Sequence, residues 1–221
     1  MKFEAVLFDC DGVLADSEPI TNGVLRDMLA EGGWHLSMEE CMLTFVGKAV
    51  RDEAELIEQR TGQPLTEAWL ALFRDRRNLA LIEQVQAIPN VQAAVHQIHS
   101  AYRGQIACAS GADRPKVELM LRKLAMLAYF DGRIYSGHDM PRSKPHPDVY
   151  LAAAQALAAD PRRCAVVEDT VTGVTAGVAA GGTVFAYAPA SSAHIRIDDL
   201  LAAGAHHVFS DMAQLPALLV A

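Results

Sequence analysis

Apolar residues along the chain follow two patterns, and the alternation between them predicts the fold. Short, mostly apolar runs occur at Ala5–Phe8, Ile106–Ala109, Ala165–Val167 and Thr183–Tyr187, with briefer ones at Ile134-Tyr135 and Val208-Phe209. Each is too short for a helix, which fits strands buried on both faces of a parallel sheet. Between them, apolar positions at helical spacing and start signals predict helices. These run from Val91 to about Ala101, from Asp113 to about Leu124, over residues 147–158, and from Gly173 to about Ala180. Pro89 opens this region and Pro147 is a helix start signal. Short strands separated by helices argue for an α/β protein with a doubly wound, mainly parallel sheet and right-handed crossovers.

One interval breaks the alternation. From residue 17 to about 86 the pattern is helical throughout. Ile20, Val24, Leu25, Met28 and Leu29 repeat at helical spacing until Gly32-Gly33, and Ser37 with Glu40 has the spacing of a capping box opening a helix toward Phe45. A loop at Gly47–Val50 precedes a helix from Arg51 to about Arg60, closed by Gly62 and Pro64. Thr66 caps a last helix carrying Trp69, Leu72, Phe73, Leu79 and Ile82. Four helices are too many for a plain crossover. The expectation is a core of residues 1–16 and 87–221 interrupted by a helical lid at 17–86.

Composition narrows the class without changing this picture. The 221 residues are 51% hydrophobic, ample for a substantial core. No run of eighteen apolar residues and no signal-peptide pattern occurs, so a soluble cytoplasmic protein is expected. Four cysteines without a CxxC pair predict reduced buried thiols rather than disulfides. The formal charge of −8 disfavours nucleic-acid and anionic-membrane partners; a monomer or small homo-oligomer acting on a small anionic ligand would need locally placed positive charge. His96/His99 and His206-His207 have no third ligand in view, so they carry no metal expectation.

The chemistry-bearing residues fall at strand ends. Asp9 and Asp11 follow the first strand, and Gly12 lets the chain turn away from the edge where ligands bind in open α/β sheets. Two acids this close repel unless a cation or a proton intervenes, although a helix cap plus a turn aspartate would look the same. Ser110-Gly111 ends the second strand, as a turn or as a phosphate contact. Lys144 lies in Ser143-Lys144-Pro145-His146-Pro147-Asp148, where the prolines hold it extended. Glu168-Asp169 ends the strand at Ala165–Val167, as a helix-capping pair or as oxygen ligands for a hard cation.

The stretch Asp9-Cys10-Asp11-Gly12-Val13-Leu14, followed by Asp16-Ser17-Glu18, closely resembles the opening motif of the haloacid dehalogenase (HAD) superfamily in its phosphatase and phosphomutase branch. The resemblance implies a Rossmann-like core with an α-helical cap inserted after the first motif. It also implies Asp9 as the nucleophile taking the phosphoryl group and Asp11 as general acid/base. Ser110 resembles the second motif, a hydroxyl on the phosphoryl group, with the Gly111 N–H as a further phosphate contact. Lys144 resembles the third motif and Glu168-Asp169 the fourth. The implied cofactor is Mg2+, held by Asp9, Asp169 and the backbone carbonyl of Asp11, with Glu168 either direct or one step removed.

Asp11 argues against the dehalogenases, which lack this acid, and against the phosphonoacetaldehyde hydrolases, which carry Ala there. Gly47–Arg51 resembles the cap's specificity loop, making Lys48 and Arg51 substrate-binding candidates, with Arg77 and Asn78 behind them. The β-phosphoglucomutases carry a histidine where Thr21 stands, which weakens that alternative. The stretch from Tyr135 to Pro145 resembles the sugar-phosphate group that includes 6-phosphogluconate phosphatases. The expected function is thus a magnesium-dependent phosphatase of a small phosphorylated metabolite. The alternatives are a phosphomutase and a non-catalytic phosphate-binding regulator.

Overall fold

The computed structural model describes residues 2–190 and 196–220. Its elements run β1 Ala5–Phe8, β2 Ala15–Asp16, α1 Glu18–Glu31, α2 Met38–Phe45, α3 Ala54–Thr61, α4 Glu67–Gln84, β3 Gln86–Ala87, α5 Val91–Ala101 and β4 Ile106–Ser110. They continue α6 Arg114–Lys123, β5 Ile134–Ser136, α7 Asp148–Ala156, β6 Cys164–Glu168, α8 Val171–Ala179, β7 Thr183–Tyr187, α9 Ile197–Ala202, β8 His207–Phe209 and α10 Leu215–Leu218. Six strands form one parallel sheet in the order β5-β4-β1-β6-β7-β8. The chain winds outward from β1 through β4 to β5, then returns to β6 on the other side of β1. The carboxyl ends of β4, β1 and β6 therefore lie side by side where the winding reverses, the place an open α/β sheet offers a ligand.

Strand burial explains why these segments became strands. All four residues of β1 and all five of β4 and β6 are buried. One face packs Leu7, Ala107, Val166 and Val184 against Tyr150, Ala153, Val174 and Ala176 of α7 and α8. Gly177 lets α8 come close, since a Cβ there would lie 2.9 Å from a Val184 methyl and 3.0 Å from one of Val166.

The chain divides into two compact units at Asp16/Ser17 and Val85/Gln86. Gln86 falls with the sheet unit, where β2 and β3 pair antiparallel through Asp16 and Gln86. The helical insert has its own core of Leu25, Met28, Leu29, Cys41, Phe45, Ile57 and Phe73, each fully buried side chain supplying about 1.5–3 kcal/mol. The Ser37/Glu40 capping box forms in both directions, at 3.1 and 2.8 Å, and Thr66 caps α4. The helix expected from Arg51 starts differently. Val50–Glu53 is a 3-10 turn with no buried residue, and α3 begins only at Ala54. Three charged residues in succession, Arg51-Asp52-Glu53, leave that turn only the half-buried Val50 to pack against the insert's core.

Candidate active site

Asp9 directly follows β1, and its N–H still bonds the Val167 carbonyl at 3.0 Å, so the sheet ladder fixes its backbone. The chain then closes a tight turn, with the N–H groups of Leu14 and Ala15 both donating to the Cys10 carbonyl at 2.9 Å. Gly12 completes it at φ +74°, where a Cβ would fall 1.9 Å from Oδ2 of Asp169. Glycine is thus required twice over, for backbone conformation and for the approach of a site carboxylate.

Lys144 reaches this centre from the loop before α7. Its Nζ donates to Asp9 Oδ1 at 2.8 Å and to Glu168 Oε1 at 2.6 Å, with its side chain 7% exposed. Tyr150, on the buried face of α7, donates its hydroxyl to the same Glu168 oxygen at 2.6 Å. Its ring centroid also lies 4.8 Å from the Lys144 ammonium. The other Glu168 oxygen accepts the N–H of Asp169 at 3.0 Å, the N–H of Thr170 at 3.4 Å and the Thr170 hydroxyl at 3.3 Å. Glu168 is wholly buried, and these donors make that burial tolerable. Gly173 is part of the same arrangement, because a Cβ there would lie 1.8 Å from Glu168 Oε1.

Burial pushes the Asp9 carboxyl up to about 7; the Lys144 ammonium opposes this, and the Glu168 and Asp11 carboxylates reinforce it. Burial also works against charge on Lys144, but the Asp9 and Glu168 carboxylates outweigh it and hold the lysine protonated. Burial and the Glu168 carboxylate keep Tyr150 a neutral donor. Cys10, between the two acids, is an inert thiol pushed well up by its hydrogen bond to Cys108 and by burial.

The sheet edge brings together Asp9, Asp11, Ser110, Lys144, Glu168 and Asp169. Ser110 is buried at the end of β4, its hydroxyl accepting the Ala112 N–H at 3.1 Å, with Gly111 beside it. Oxygen atoms of Asp9, Glu168 and Asp169 all lie within 4.8 Å of one another, an all-oxygen donor set suited to a hard divalent cation. Four carboxylates (Asp9, Asp11, Glu168, Asp169) face two buried ammoniums (Lys144, Lys116), a formal −2 that such a cation would balance. The Asp11 side chain lies outside that cluster and pairs with Lys116 at 2.6 Å.

In the helical insert, Lys48 pairs with Glu53 at 3.3 Å and Arg51 with Glu67 at 2.9 Å, all on or near the surface. Arg77 is buried against the Phe73 ring and donates to Asn78 Oδ1. Two residues of the centre are new relative to the sequence reading, Lys116 and Tyr150, whereas Thr170 and Gly173 belong to the Thr-Val-Thr-Gly stretch directly after Glu168-Asp169. Neither Lys116 nor Tyr150 carries a local signal: each stands in the first turn of its helix, Lys116 in α6 and Tyr150 in α7.

A buried acid cluster with an aimed lysine lies at the reversal of the parallel sheet, a centre competent to hold a cation. A sequence profile of the haloacid dehalogenase-like hydrolases matches residues 3–181, and the chain belongs to that family. It is 31% identical over 185 residues to the 6-phosphogluconate phosphatase of Escherichia coli K12, covering 83% of this chain and 82% of that one. It is 28% identical over 183 residues to the fructose-1-phosphate phosphatase of the same organism, covering 81% and 94%. A HAD family hydrolase from Deinococcus radiodurans R1, solved with bound phosphate and sodium, superposes with a TM-score of 0.79 at 34% identity over 99% and 96% of the chains. With these relatives the chain is a HAD phosphatase, a phosphoric monoester hydrolase. No described helix is long and apolar enough to cross a membrane.

Proposed function

We propose that this protein is a magnesium-dependent phosphatase of a small sugar phosphate or sugar-acid phosphate, 6-phosphogluconate among them, working through an aspartyl-phosphate on Asp9. The observation that carries the reading is the convergence of Asp9, Lys144, Glu168 and Asp169 in one buried cluster, with an ammonium 2.8 Å from the nucleophile. Asp9 attacks phosphorus while Asp11 protonates the departing alcohol; Asp11 then takes a proton from the water that cleaves the aspartyl-phosphate. Lys144 offsets repulsion between the Asp9 carboxylate and the incoming phosphate. Ser110 and the Gly111 N–H hold phosphoryl oxygens. Asp9, Asp169 and the Asp11 carbonyl would hold magnesium, which when bound supplies charge neutralisation between nucleophile and phosphoryl group. Glu168, with both oxygens already carrying protein donors, fits the task of anchoring Lys144.

The insert at 17–85 is read as a cap that selects the leaving group. Lys48 and Arg51 would exchange their partners Glu53 and Glu67 for a substrate carboxylate or hydroxyl, with Arg77 and Asn78 as weaker contributors. Relatives named for 6-phosphogluconate and fructose 1-phosphate support a sugar-derived leaving group. Thr21, standing where mutases carry histidine, offers a hydroxyl that titrates far from neutrality and cannot do the work of an imidazole.

Magnesium-dependent phosphate release measured on 6-phosphogluconate, phosphoglycolate, sugar 6-phosphates, fructose 1-phosphate and β-glucose 1-phosphate is expected to favour one or two sugar-derived compounds and to stop with EDTA. Isomerisation of β-glucose 1-phosphate with little free phosphate would refute the phosphatase reading in favour of a mutase. Silence throughout would refute it in favour of a phosphate-binding regulator.

The site also makes metal binding pH-dependent. Asp9 must lose its proton to act as a ligand, and burial holds that proton up to about pH 7. Apparent magnesium affinity should therefore weaken about tenfold per pH unit below that value. The rise in melting temperature produced by a fixed magnesium concentration is expected to be larger at pH 8 than at pH 6. Equal shifts would mean that Asp9 is not a ligand.

A further inference from the structure

Lys116 is a buried cation beside the acid/base carboxylate that the scheme above leaves without a part. Its side chain is 6% exposed, and Nζ lies 2.6 Å from Oδ1 of Asp11, itself 12% exposed. The lysine is delivered from a rigid point. Asp113 caps α6 and accepts the backbone N–H of Lys116 at 3.1 Å, Pro115 occupies the first turn, and Val117, Met120 and Leu121 fasten the helix into the core. Asp11, by contrast, sits on a turn beyond the end of its strand, where an aspartate side chain has several rotamers open to it.

We propose that Lys116 is a positioning residue that fixes the orientation of the Asp11 carboxyl for proton transfer, an inference that rests on the phosphatase reading. Two steps depend on that orientation. In the first, an Asp9 oxygen bonds to phosphorus, the ester P–O bond breaks, and the Asp11 proton passes to the departing oxygen. In the second, water bonds to phosphorus, the Asp9–phosphorus bond breaks, and the Asp11 carboxylate takes the proton released by water. A carboxyl turned away from this line serves neither step. The ion pair could otherwise be a structural tie between α6 and the turn, and the leaving group separates these two roles. An alkoxide needs a proton to depart, whereas p-nitrophenolate departs without one.

The experiment compares wild type with Lys116→Met and Lys116→Arg, with magnesium present, on p-nitrophenyl phosphate and on the sugar phosphate that wild type hydrolyses best. On the sugar phosphate, kcat of Lys116→Met is expected to fall ~10²-fold, the scale of general acid–base catalysis, with KM little changed and Lys116→Arg recovering most of the loss. On p-nitrophenyl phosphate the first turnover keeps its speed and the second step slows. Stopped flow should then show a burst of about one nitrophenolate per enzyme, absent from wild type. Equal losses on both esters without a burst, losses that merely track a lower melting temperature, or no loss at all would make Lys116 a structural tie and overturn the proposal. Should Lys116→Met not fold, Lys116→Gln carries the same comparison. Wild type inactive on both esters would overturn the phosphatase reading itself and this inference with it, which is distinct from an active wild type with an indifferent lysine.

Discussion

Asp9→Asn is expected to lower phosphate release by ~10⁴-fold or more, the scale of loss when a covalent nucleophile is removed. The amide matches the carboxylate in shape and its oxygen can still accept the Lys144 ammonium, which lies 2.8 Å from Oδ1 in the native protein. What it loses is the anionic lone pair proposed to attack phosphorus. Stability should move the other way. The folded-state pKa of Asp9, about 7, stands above its ordinary value of 3.8 because burial penalises the charge. A carboxyl raised in this way contributes stability that is fully present below the unfolded pKa and is lost as pH rises toward the folded one. The loss runs at about 1.4 kcal/mol per pH unit. Asparagine carries no such charge. In metal-free protein the melting temperature of Asp9→Asn should therefore gain on wild type between pH 4 and pH 7 and hold its lead above that. A variant that is inactive but melts below wild type at pH 8 would show the loss to be misfolding rather than chemistry.

Strand ends were the legible part of this site. Asp9, Ser110 and Glu168-Asp169 each close a short apolar run, and in a parallel sheet all such ends face the same edge, so chain order alone places them together. The bonds among them were less legible. Tyr150 meets Glu168 across eighteen positions and Lys116 meets Asp11 across 105; nothing local marks a tyrosine or lysine in a helix's first turn as aimed at a carboxylate. The same limit applies to the insert. Lys48 and Arg51 read as candidate contacts from their loop, but whether acids neutralise them depends on Glu53 and Glu67, the latter brought in by a different helix. The Val50–Glu53 turn escaped for an energetic reason, since a helix start without a buried face is decided by small backbone preferences rather than by pattern.

Gly173→Ala tests how far the anchored carboxylate governs the centre, because two effects of opposite sign compete there. Glycine within a helix is normally a weakness, and alanine should stabilise α8 by up to about 1 kcal/mol on propensity alone. Against that, the new methyl would sit 1.8 to 2.1 Å from three atoms of the Glu168 carboxyl group, so something must shift. Glu168 has little room to yield: Lys144 and Tyr150 hold one oxygen at 2.6 Å, and Asp169 and Thr170 hold the other. Overpacking of a close-packed interior typically costs 1–3 kcal/mol, and here a displaced carboxylate also unseats buried donors, so the clash should win by about 1–3 kcal/mol net. Activity should suffer more than stability, because Lys144 reaches Asp9 while braced on Glu168. We expect a melting temperature several degrees lower and phosphate release reduced ~10²-fold. The control is the same substitution at Gly23 in α1, where the added Cβ would meet only a Met38 methyl at an ordinary 3.5 Å. Gly23→Ala should raise the melting temperature and leave turnover alone. If Gly173→Ala behaved like Gly23→Ala, the anchored position of Glu168 would be incidental, and Lys144 would need no brace to serve the nucleophile.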